Sequence, residues 1–257
     1  MSDAVTKIGI LGGTFDPVHL GHLIIAEEVR FSVGLDKVVF VPAGVPWMRE
    51  NEGISSGKHR LNMVDLAVKS NPYFESSSLE IDREGVTYTA DTLKTLREEL
   101  DSSVELSFIM GMDVLEKFHL WKSPEIVVDL CNLVIVNRPG NQAVDVNEVV
   151  KQFPEAGPKL RIINVPRMEI SSSGIRERVK QGKSLKYLLS EDVIEYIDQN
   201  SCAFVNRMKI SKNPSMPKTI IATLESKNNS IQFKTRKHRQ ILFFRYKTSL
   251  LNPVRGA

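Results

Sequence analysis

The chain has 257 residues, of which 42% are hydrophobic and 25% are charged, and its formal net charge is +3. This composition is typical of a soluble globular protein rather than of a disordered or membrane chain. No apolar run approaches the ~18 residues that a membrane-spanning helix needs, and the start of the chain is unlike a secretory signal, so we expect a cytoplasmic protein. Cys131 and Cys202 are too far apart to indicate a zinc site or a disulfide framework.

The charge divides the chain into two parts. From Asn200 to Ala257 there are twelve Lys and Arg against one acid, a net charge of +11. The preceding residues carry 22 basic and 30 acidic side chains, a net charge of −8. We therefore expect one folded domain over residues 1–200 and a basic extension over residues 201–257.

Short β-branched runs alternate with amphipathic stretches through the first two hundred residues. This alternation predicts βαβ units around a parallel sheet, and so an α/β protein with a Rossmann-like, doubly wound fold. The predicted strands are Lys7–Leu11, Lys37–Val41, Phe74–Leu79, Leu106–Met110, Leu133–Asn137 and Leu160–Val165. The predicted helices are Leu20–Val33, His59–Ser70, Thr89–Leu100, Ser123–Leu130, Ser172–Gln181 and Glu191–Gln199.

The basic extension contains three strand-like runs, Thr219–Leu224, Ser230–Lys234 and Gln240–Tyr246. Two interpretations of it stay open. Its charge and its interleaved aromatic residues suit a weak, salt-dependent contact with RNA or another polyanion. Alternatively it is a poorly ordered extension without a selected partner, because a three-strand unit this small has little core of its own.

The strongest chemical motif follows the first predicted strand and occupies residues 12–22, with the sequence GGTFDPVHLGH. Two glycines allow the backbone to turn sharply and to bring its N–H groups close to an anion, and the next helix directs its positive end to the same place. His19 and His22 lie about one helical turn apart, so we expect both to face one phosphate ligand. The spacing alone would also fit a surface histidine pair.

A second motif, ISSSGIR, occupies residues 170–176. Hydroxyl groups at the start of a helix cap its free N–H groups and also offer donors to a phosphate, and Arg176 adds a charged, forked donor one turn later. The alternative is an ordinary serine cap followed by a solvated arginine.

Together the two motifs resemble those of the H-x-G-H nucleotidyltransferase superfamily, H-x-G-H and I-S-S-T-x-I-R, with Ser173 in place of the threonine. The segments between them resemble those of bacterial nicotinate-nucleotide adenylyltransferases. These segments are TYTADTL at 87–93, GMD at 111–113 followed by Trp121, RPG at 138–140, and the PAGVPW loop at 42–47. The resemblance covers about residues 5–200. It implies transfer of the AMP moiety of ATP to nicotinate mononucleotide in NAD biosynthesis, giving deamido-NAD and pyrophosphate, with Mg²⁺ carried on the ATP phosphates.

The same resemblance implies roles for individual residues, with His19, His22 and Arg176 as the catalytic groups. The implied ATP-binding residues are Gly12, Gly13, Thr14, Phe15, His19, His22, Ser171, Ser172, Ser173 and Arg176. The implied residues for the mononucleotide are Arg49, Thr89, Gly111, Asp113, Trp121 and Arg138. The commoner family pattern has P-P-H-K where this chain has Pro-Trp-Met-Arg, so Arg49 would replace a phosphate-binding lysine. No carboxylate cluster indicates a protein-bound metal, and we name no metal ligand.

Other interpretations remain at this point. A sister adenylyltransferase or cytidylyltransferase, such as the one acting on phosphopantetheine, would share both nucleotide motifs but not the middle segments. A silent nucleotide sensor or an RNA-binding protein would fit the basic extension, yet mere binding would not need His19, His22 and Arg176 together. Taken alone, Thr89 fits a helix cap, Trp121 a core residue and Asp113 an N-cap. The strictness of nicotinate over nicotinamide and the oligomeric state stay open.

Overall fold

The structure is a computed structural model that describes residues 6–46, 54–138 and 146–200, together with the backbone of residues 232–237 and 240–245. Its centre is a six-stranded parallel sheet. The strands of this sheet are β1 (Lys7–Gly13), β2 (Lys37–Pro42), β4 (Phe74–Ser76), β6 (Glu105–Gly111), β7 (Asn132–Asn137) and β8 (Leu160–Asn164). A separate short parallel pair joins β3 (Val45–Pro46) to β5 (Val86–Thr87).

The strand order in the sheet is β4-β2-β1-β6-β7-β8. Starting from β1, the chain therefore adds β2 and then β4 on one side. It then returns to the other side of β1 and adds β6, β7 and β8 in turn. This is the doubly wound order, and its reversal point lies between β1 and β6, where ligands bind in such sheets. The predicted fold class is confirmed.

Helices cover both faces of the sheet. They are α1 (Leu20–Val33), α2 (Gly57–Val68), α3 (Thr89–Glu99), α4 (Met112–Leu115), α5 (Pro124–Leu130), α6 (Val146–Gln152), α7 (Ser172–Lys180) and α8 (Glu191–Gln199), with 3₁₀ turns at Phe118–Leu120 and Pro154–Lys159. Successive strand residues point to opposite faces, so Ile10 of β1 lies in one apolar core and Leu11 in the other. Buried residues of α1, α2 and α8 fill the Leu11 side, and those of α3 and α5 fill the Ile10 side.

All six predicted strands and all six predicted helices are present; Leu20–Val33 and Glu191–Gln199 have the predicted ends, and the other elements have shifted ends. The clearest shift is at β1, which continues through both glycines to Gly13. The glycines were expected to make the sharp turn, and this was wrong. The left-handed residue is Phe15, with φ of 49°. Its ring folds back onto the strand, where a Cβ at Gly13 would lie 3.0 Å from it, so Gly13 is needed for close approach.

By contact the chain divides into two compact units, Met1–Met208 and Lys209–Ala257. In the second unit, β9 (Gln232–Lys237) pairs with β10 (Gln240–Arg245) as antiparallel strands. They overlap two of the predicted runs, and the third run, Thr219–Leu224, lies outside the described residues. Within the described parts of the chain, no helix is both long and apolar enough to cross a membrane.

Candidate active site

A pocket of about 380 Å³ opens at the reversal point of the sheet, between the carboxyl ends of β1 and β6. Its walls include Gly12, Gly13, Thr14, His22, Glu80, Thr87, Thr89, Thr92, Phe108, Gly111, Asp113, Trp121 and Arg138. The pocket therefore joins the glycine motif of β1 to the segments at 87–93, 111–121 and 138. These segments are far apart in sequence, and the sheet brings them to one place.

The histidines of the first motif stand at the start of α1, which points at this pocket. His19 is the N-cap residue, and its backbone N–H donates to Nδ1 of His22 at 3.2 Å. Because Nδ1 of His22 accepts this bond, the neutral ring carries its hydrogen on Nε2, which is then a donor. The two rings stack with centroids 3.7 Å apart, and Phe15 meets the His22 ring edge-on at 5.0 Å.

Both imidazoles are held in the uncharged form. Burial, then the nearby charge of Arg138, lowers the pKa of His19 to about 4. Burial, then the stacked His19 and Arg138, lowers the pKa of His22 well below its usual value of 6.5. Nδ1 of His19 is also buried and has no hydrogen-bond partner in the described part of the chain. At neutral pH the pair thus consists of two uncharged rings that can donate N–H groups.

The two histidines do not line the same cavity. His22 lines the main pocket, whereas His19 lines a smaller neighbouring recess with Met168, Ile170 and Arg138. Arg138 borders both spaces, so the recess and the pocket are adjacent.

The serines and the arginine of the second motif hold the turn that follows β1. Ser171 accepts a hydrogen bond from the N–H of Gly174 at 3.1 Å, which is a helix cap. Ser172 Oγ donates to the carbonyl of Pro17 at 2.8 Å, and Arg176 Nη1 donates to the carbonyl of Asp16 at 2.8 Å. The start of α7 is therefore fastened to the segment between the glycines and the histidines. Ser173 is exposed beside Ser171, with the two hydroxyls 3.3 Å apart.

An aromatic platform forms the opposite side of the pocket. The Trp121 ring packs edge-on against Phe108, with centroids 5.8 Å apart, and at a tilt against Phe118, at 5.3 Å. Phe118 is fully buried, so it fixes one side of the indole while the rest of Trp121 borders the pocket. The indole N–H is buried without a partner among the described residues.

The N-terminus of α3 lies close to this platform. Lys122, next to Trp121, sits 4.3 Å above the Tyr88 ring, and its Nζ is 3.4 Å from a carboxylate oxygen of Asp91. Thr89 is the first residue of α3 and lines the pocket. These contacts place an aromatic face and the positive end of a helix side by side.

Of the predicted site residues, Gly12, Gly13, Thr14, His22, Thr89, Gly111, Asp113, Trp121 and Arg138 line the main pocket. Phe15 is buried behind the loop, and Ser171, Ser172 and Arg176 contact the chain at 16–17 or cap α7. Asp113, which taken alone would fit an N-cap, lies in the first turn of α4, and the N-cap of that helix is Gly111. Arg49 lies outside the described residues, as do positions 139 and 140 of the RPG turn.

Sequence reasoning missed a polar chain behind the α3 side of the pocket. Arg83 donates to Thr92 Oγ1 at 3.1 Å, and Thr92 Oγ1 donates to Glu80 Oε1 at 2.7 Å. Glu80, Thr87 and Thr92 all line the pocket. Thr87 and Thr92 belong to the recognised TYTADTL segment and could have been named, but nothing in the sequence marks Glu80. In the described parts of the chain, no group of three or more His, Cys, Asp or Glu is placed to hold a metal ion.

Comparison with known proteins gives consistent results. The family model described as Cytidylyltransferase-like matches residues 10–178. A protein of Dehalococcoides mccartyi named "Probable nicotinate-nucleotide adenylyltransferase" is 44% identical over 194 residues, which cover 76% of this chain and 95% of that protein. A Moorella thermoacetica protein of the same name is 44% identical over 192 residues, covering 74% and 88%.

Solved structures show the same fold. The nicotinic acid mononucleotide adenylyltransferase of Plasmodium falciparum, complexed with NaAD, superposes with a TM-score of 0.63 at 23% identity. The similarity covers 77% of this chain and 97% of that chain.

Proposed function

Because this chain belongs to the cytidylyltransferase-like family, and within it to the nicotinate-nucleotide adenylyltransferases, we propose that it transfers AMP from ATP to nicotinate mononucleotide. The products are deamido-NAD and pyrophosphate, and the reaction is a step of NAD biosynthesis that we place in the cytoplasm. The observation that carries the proposal is the pocket between β1 and β6. One side of it carries the glycine motif and His22, and the other carries Trp121 and the N-terminus of α3.

The reaction needs no covalent intermediate with the protein. A phosphate oxygen of the mononucleotide forms a bond to the α-phosphorus of ATP, and the bond from that phosphorus to the pyrophosphate oxygen breaks. The attacking oxygen is already anionic, so catalysis depends on alignment and on stabilisation of charge on the transferred and leaving groups.

The nucleotide side of the pocket suits the ATP phosphates. Backbone groups of Gly12 to Phe15 and the N-terminal end of α1 offer N–H donors, and His22 offers Nε2–H. We assign His19 the same role from the adjacent recess. In this proposal Ser171, Ser172, Ser173 and Arg176 bind the triphosphate, and Arg176 exchanges part of its contact with the Asp16 carbonyl for a phosphate oxygen.

The other side of the pocket suits the mononucleotide. Trp121 offers its face to the pyridinium ring, a contact worth about 0.5–2 kcal/mol. The helix end at Thr89 suits the nicotinate carboxylate. We assign Asp113 and the backbone at Gly111 to the ribose, as acceptors of hydrogen bonds from its hydroxyls, and Arg138 to the charge of the phosphates where the two substrates meet. Arg49 remains our proposed phosphate-binding cation on the evidence of its sequence position alone.

The residues present suit a magnesium ion that arrives with ATP. Asp113 and Glu80 are separate carboxylates of the pocket wall and form no ligand cluster in the described chain. Mg²⁺ prefers phosphate oxygens and water with one or two carboxylates. When bound, the ion neutralises charge on the leaving pyrophosphate.

A turnover assay with ATP and a panel of acceptors tests the function and its specificity. We expect kcat/KM for nicotinate mononucleotide to exceed that for nicotinamide mononucleotide by up to about thirtyfold. A helix end stabilises a partly buried carboxylate by up to ~2 kcal/mol, and a neutral amide gains much less. Pyrophosphate release is followed for both mononucleotides and for phosphopantetheine. Equal values for the acid and the amide would reject the specificity, and turnover only with phosphopantetheine would reject the function.

The basic extension is expected to be dispensable for this reaction, because every motif ends by Arg176 and α8 completes the alternating pattern. A fragment ending at Asn200 should keep wild-type kcat/KM within about twofold. A folded fragment without activity would instead show that the extension helps to build the site.

For the extension itself we propose weak polyanion contact. Its charge predicts RNA binding by the full-length chain that weakens steeply between low and moderate salt and disappears in the fragment ending at Asn200. If neither change is measured, the extension has no nucleic-acid role that its charge can explain.

A further inference from the structure

Arg60 of α2 is the largest fully buried side chain of the described residues, with 2% of its surface exposed. A guanidinium group stays charged in proteins, and burying a charge is costly unless it is hydrogen-bonded. Each of the three guanidinium nitrogens of Arg60 donates to a backbone carbonyl rather than to a carboxylate. Its Nε donates to Ser55 at 3.0 Å, its Nη1 to Thr14 at 2.9 Å and its Nη2 to Gly44 at 2.9 Å.

These three carbonyls belong to three different segments, of which one forms a wall of the pocket and one packs against another wall. Thr14 lies in the nucleotide wall, which we define as residues 12–14. Gly44 directly precedes β3, which pairs with β5 so that Pro46 lies opposite Thr87. Thr87 belongs to the acceptor wall, which we define as Glu80, Thr87 and Thr89.

Gly44 is also packed directly on the acceptor wall. A Cβ at Gly44 would lie 2.1 Å from the backbone oxygen of Glu80 and 2.7 Å from Thr87 Cγ2. Because the packing is this close, a shift of Gly44 would also shift Glu80 and Thr87. A planar guanidinium fixes the directions of its donors, so Arg60 fixes Gly44 relative to Thr14.

Asp16 strengthens the same anchor from the other side. Its buried carboxylate accepts the N–H of Ser55 at 3.2 Å, while Arg60 binds the carbonyl of Ser55. The Asp16 carbonyl in turn accepts a hydrogen bond from Arg176 Nη1. Asp16 thus links the segment before α2, and α7, to the turn that carries the phosphate motif.

We propose that Arg60 is a positioning residue that sets the separation of the nucleotide wall and the acceptor wall, through the carbonyls of Thr14 and Gly44. It touches neither substrate. The inference rests on the proposed function, because it assumes that two substrates bind side by side in this pocket. Because a misplacement of about 1 Å can cost about a hundredfold in rate, loss of Arg60 should lower kcat far more than it raises either KM.

The test compares Arg60→Met and Arg60→Lys with Arg97→Met. Arg97 is a matched control, since its guanidinium also donates three hydrogen bonds to backbone carbonyls, those of Leu130 and Val104, and it does not line the pocket. For Arg60→Met we expect kcat to fall about a hundredfold, with KM for ATP and for nicotinate mononucleotide each within about threefold of wild type. Arg60→Lys keeps the positive charge but lacks the forked donors of the guanidinium, and its kcat should fall less than that of Arg60→Met. Arg97→Met should keep wild-type kcat, although its Tm falls.

Amide hydrogen exchange without ligands provides a readout that does not depend on the reaction. Ala43 N–H donates to the Gly13 carbonyl at 2.9 Å and joins the segment before Gly44 to β1. This amide should lose protection in both Arg60 variants and keep it in Arg97→Met. Unchanged protection at Ala43, or equal kcat losses in Arg60→Met and Arg97→Met, would overturn the proposal. Failure of both Arg60 variants to fold would also overturn it, because Arg60 would then support the whole domain. A wild-type protein that transfers AMP to no mononucleotide would reject the function alone, and the exchange experiment would still decide the role of Arg60.

Discussion

His22→Ala is expected to lower kcat at least a hundredfold while the domain stays folded. His22 lines the pocket, and the bond from His19 N–H to its Nδ1 leaves Nε2–H as the donor. A donor placed where charge develops in the transition state is worth about 2.7–4 kcal/mol. The measurement is pyrophosphate release at saturating ATP and nicotinate mononucleotide. Wild-type release from a folded His22→Ala protein would remove His22 from the mechanism.

The same substitution also removes the acceptor of the His19 N–H at the start of α1, and loss of such a cap costs about 0.5–2 kcal/mol. His22→Asn separates the two effects, because its amide oxygen can accept that N–H while no imidazole remains. We expect His22→Asn to recover the Tm of the wild type and to stay as slow as His22→Ala. His119→Ala, at an exposed histidine outside the pocket lining, should change neither quantity.

Gly44→Ala is expected to lower both stability and turnover. The added Cβ would lie 2.1 Å from the backbone oxygen of Glu80, and a backbone atom cannot move aside as a flexible side chain can. Inserting one carbon into such a site typically costs 1–3 kcal/mol, which corresponds to a fall in Tm of about 2–12 °C for a domain of this size. Because Glu80 and Thr87 line the pocket, kcat/KM for the mononucleotide should fall as well.

Gly157→Ala is the matched control for this substitution. A Cβ at Gly157 would meet only the Val150 side chain, at 3.3 Å, and Gly157 does not line the pocket. We expect its kcat/KM to equal that of the wild type. Equal Tm values for the two glycine variants would show that the contact at Gly44 relaxes freely.

The sequence predicted those parts of the fold that local pattern determines. The helix Leu20–Val33 has the predicted ends because an apolar period runs up to Gly34, whose left-handed φ of 70° ends it. The helix Glu191–Gln199 was predicted equally well. β3, β5, α4 and α6, of two, two, four and seven residues, were missed because each spans at most about two periods of its pattern, too few to distinguish it from the surrounding loops.

Site residues could be predicted from the sequence only where a recognisable motif itself lines the pocket. The glycine motif, His22 and the segment at Thr89 lie where their positions at strand ends and helix starts place them. Tertiary contacts decided the rest. Nothing in the sequence shows that Phe15 makes the bend, that Arg176 binds the Asp16 carbonyl, or that Arg60 is buried, because each depends on partners distant in the chain.

We expect the uncharged, stacked pair of His19 and His22 to make phosphate binding at the proposed site a proton-coupled event. The pKa of both rings is low in the protein itself, but phosphate oxygens beside them favour the protonated form and raise the pKa. The complex then holds more protons than the free protein, so binding takes up protons from solvent. By thermodynamic linkage, affinity for the triphosphate rises as pH falls towards the pKa of the complex. The positive charge on the two histidines therefore forms only together with the phosphate complex.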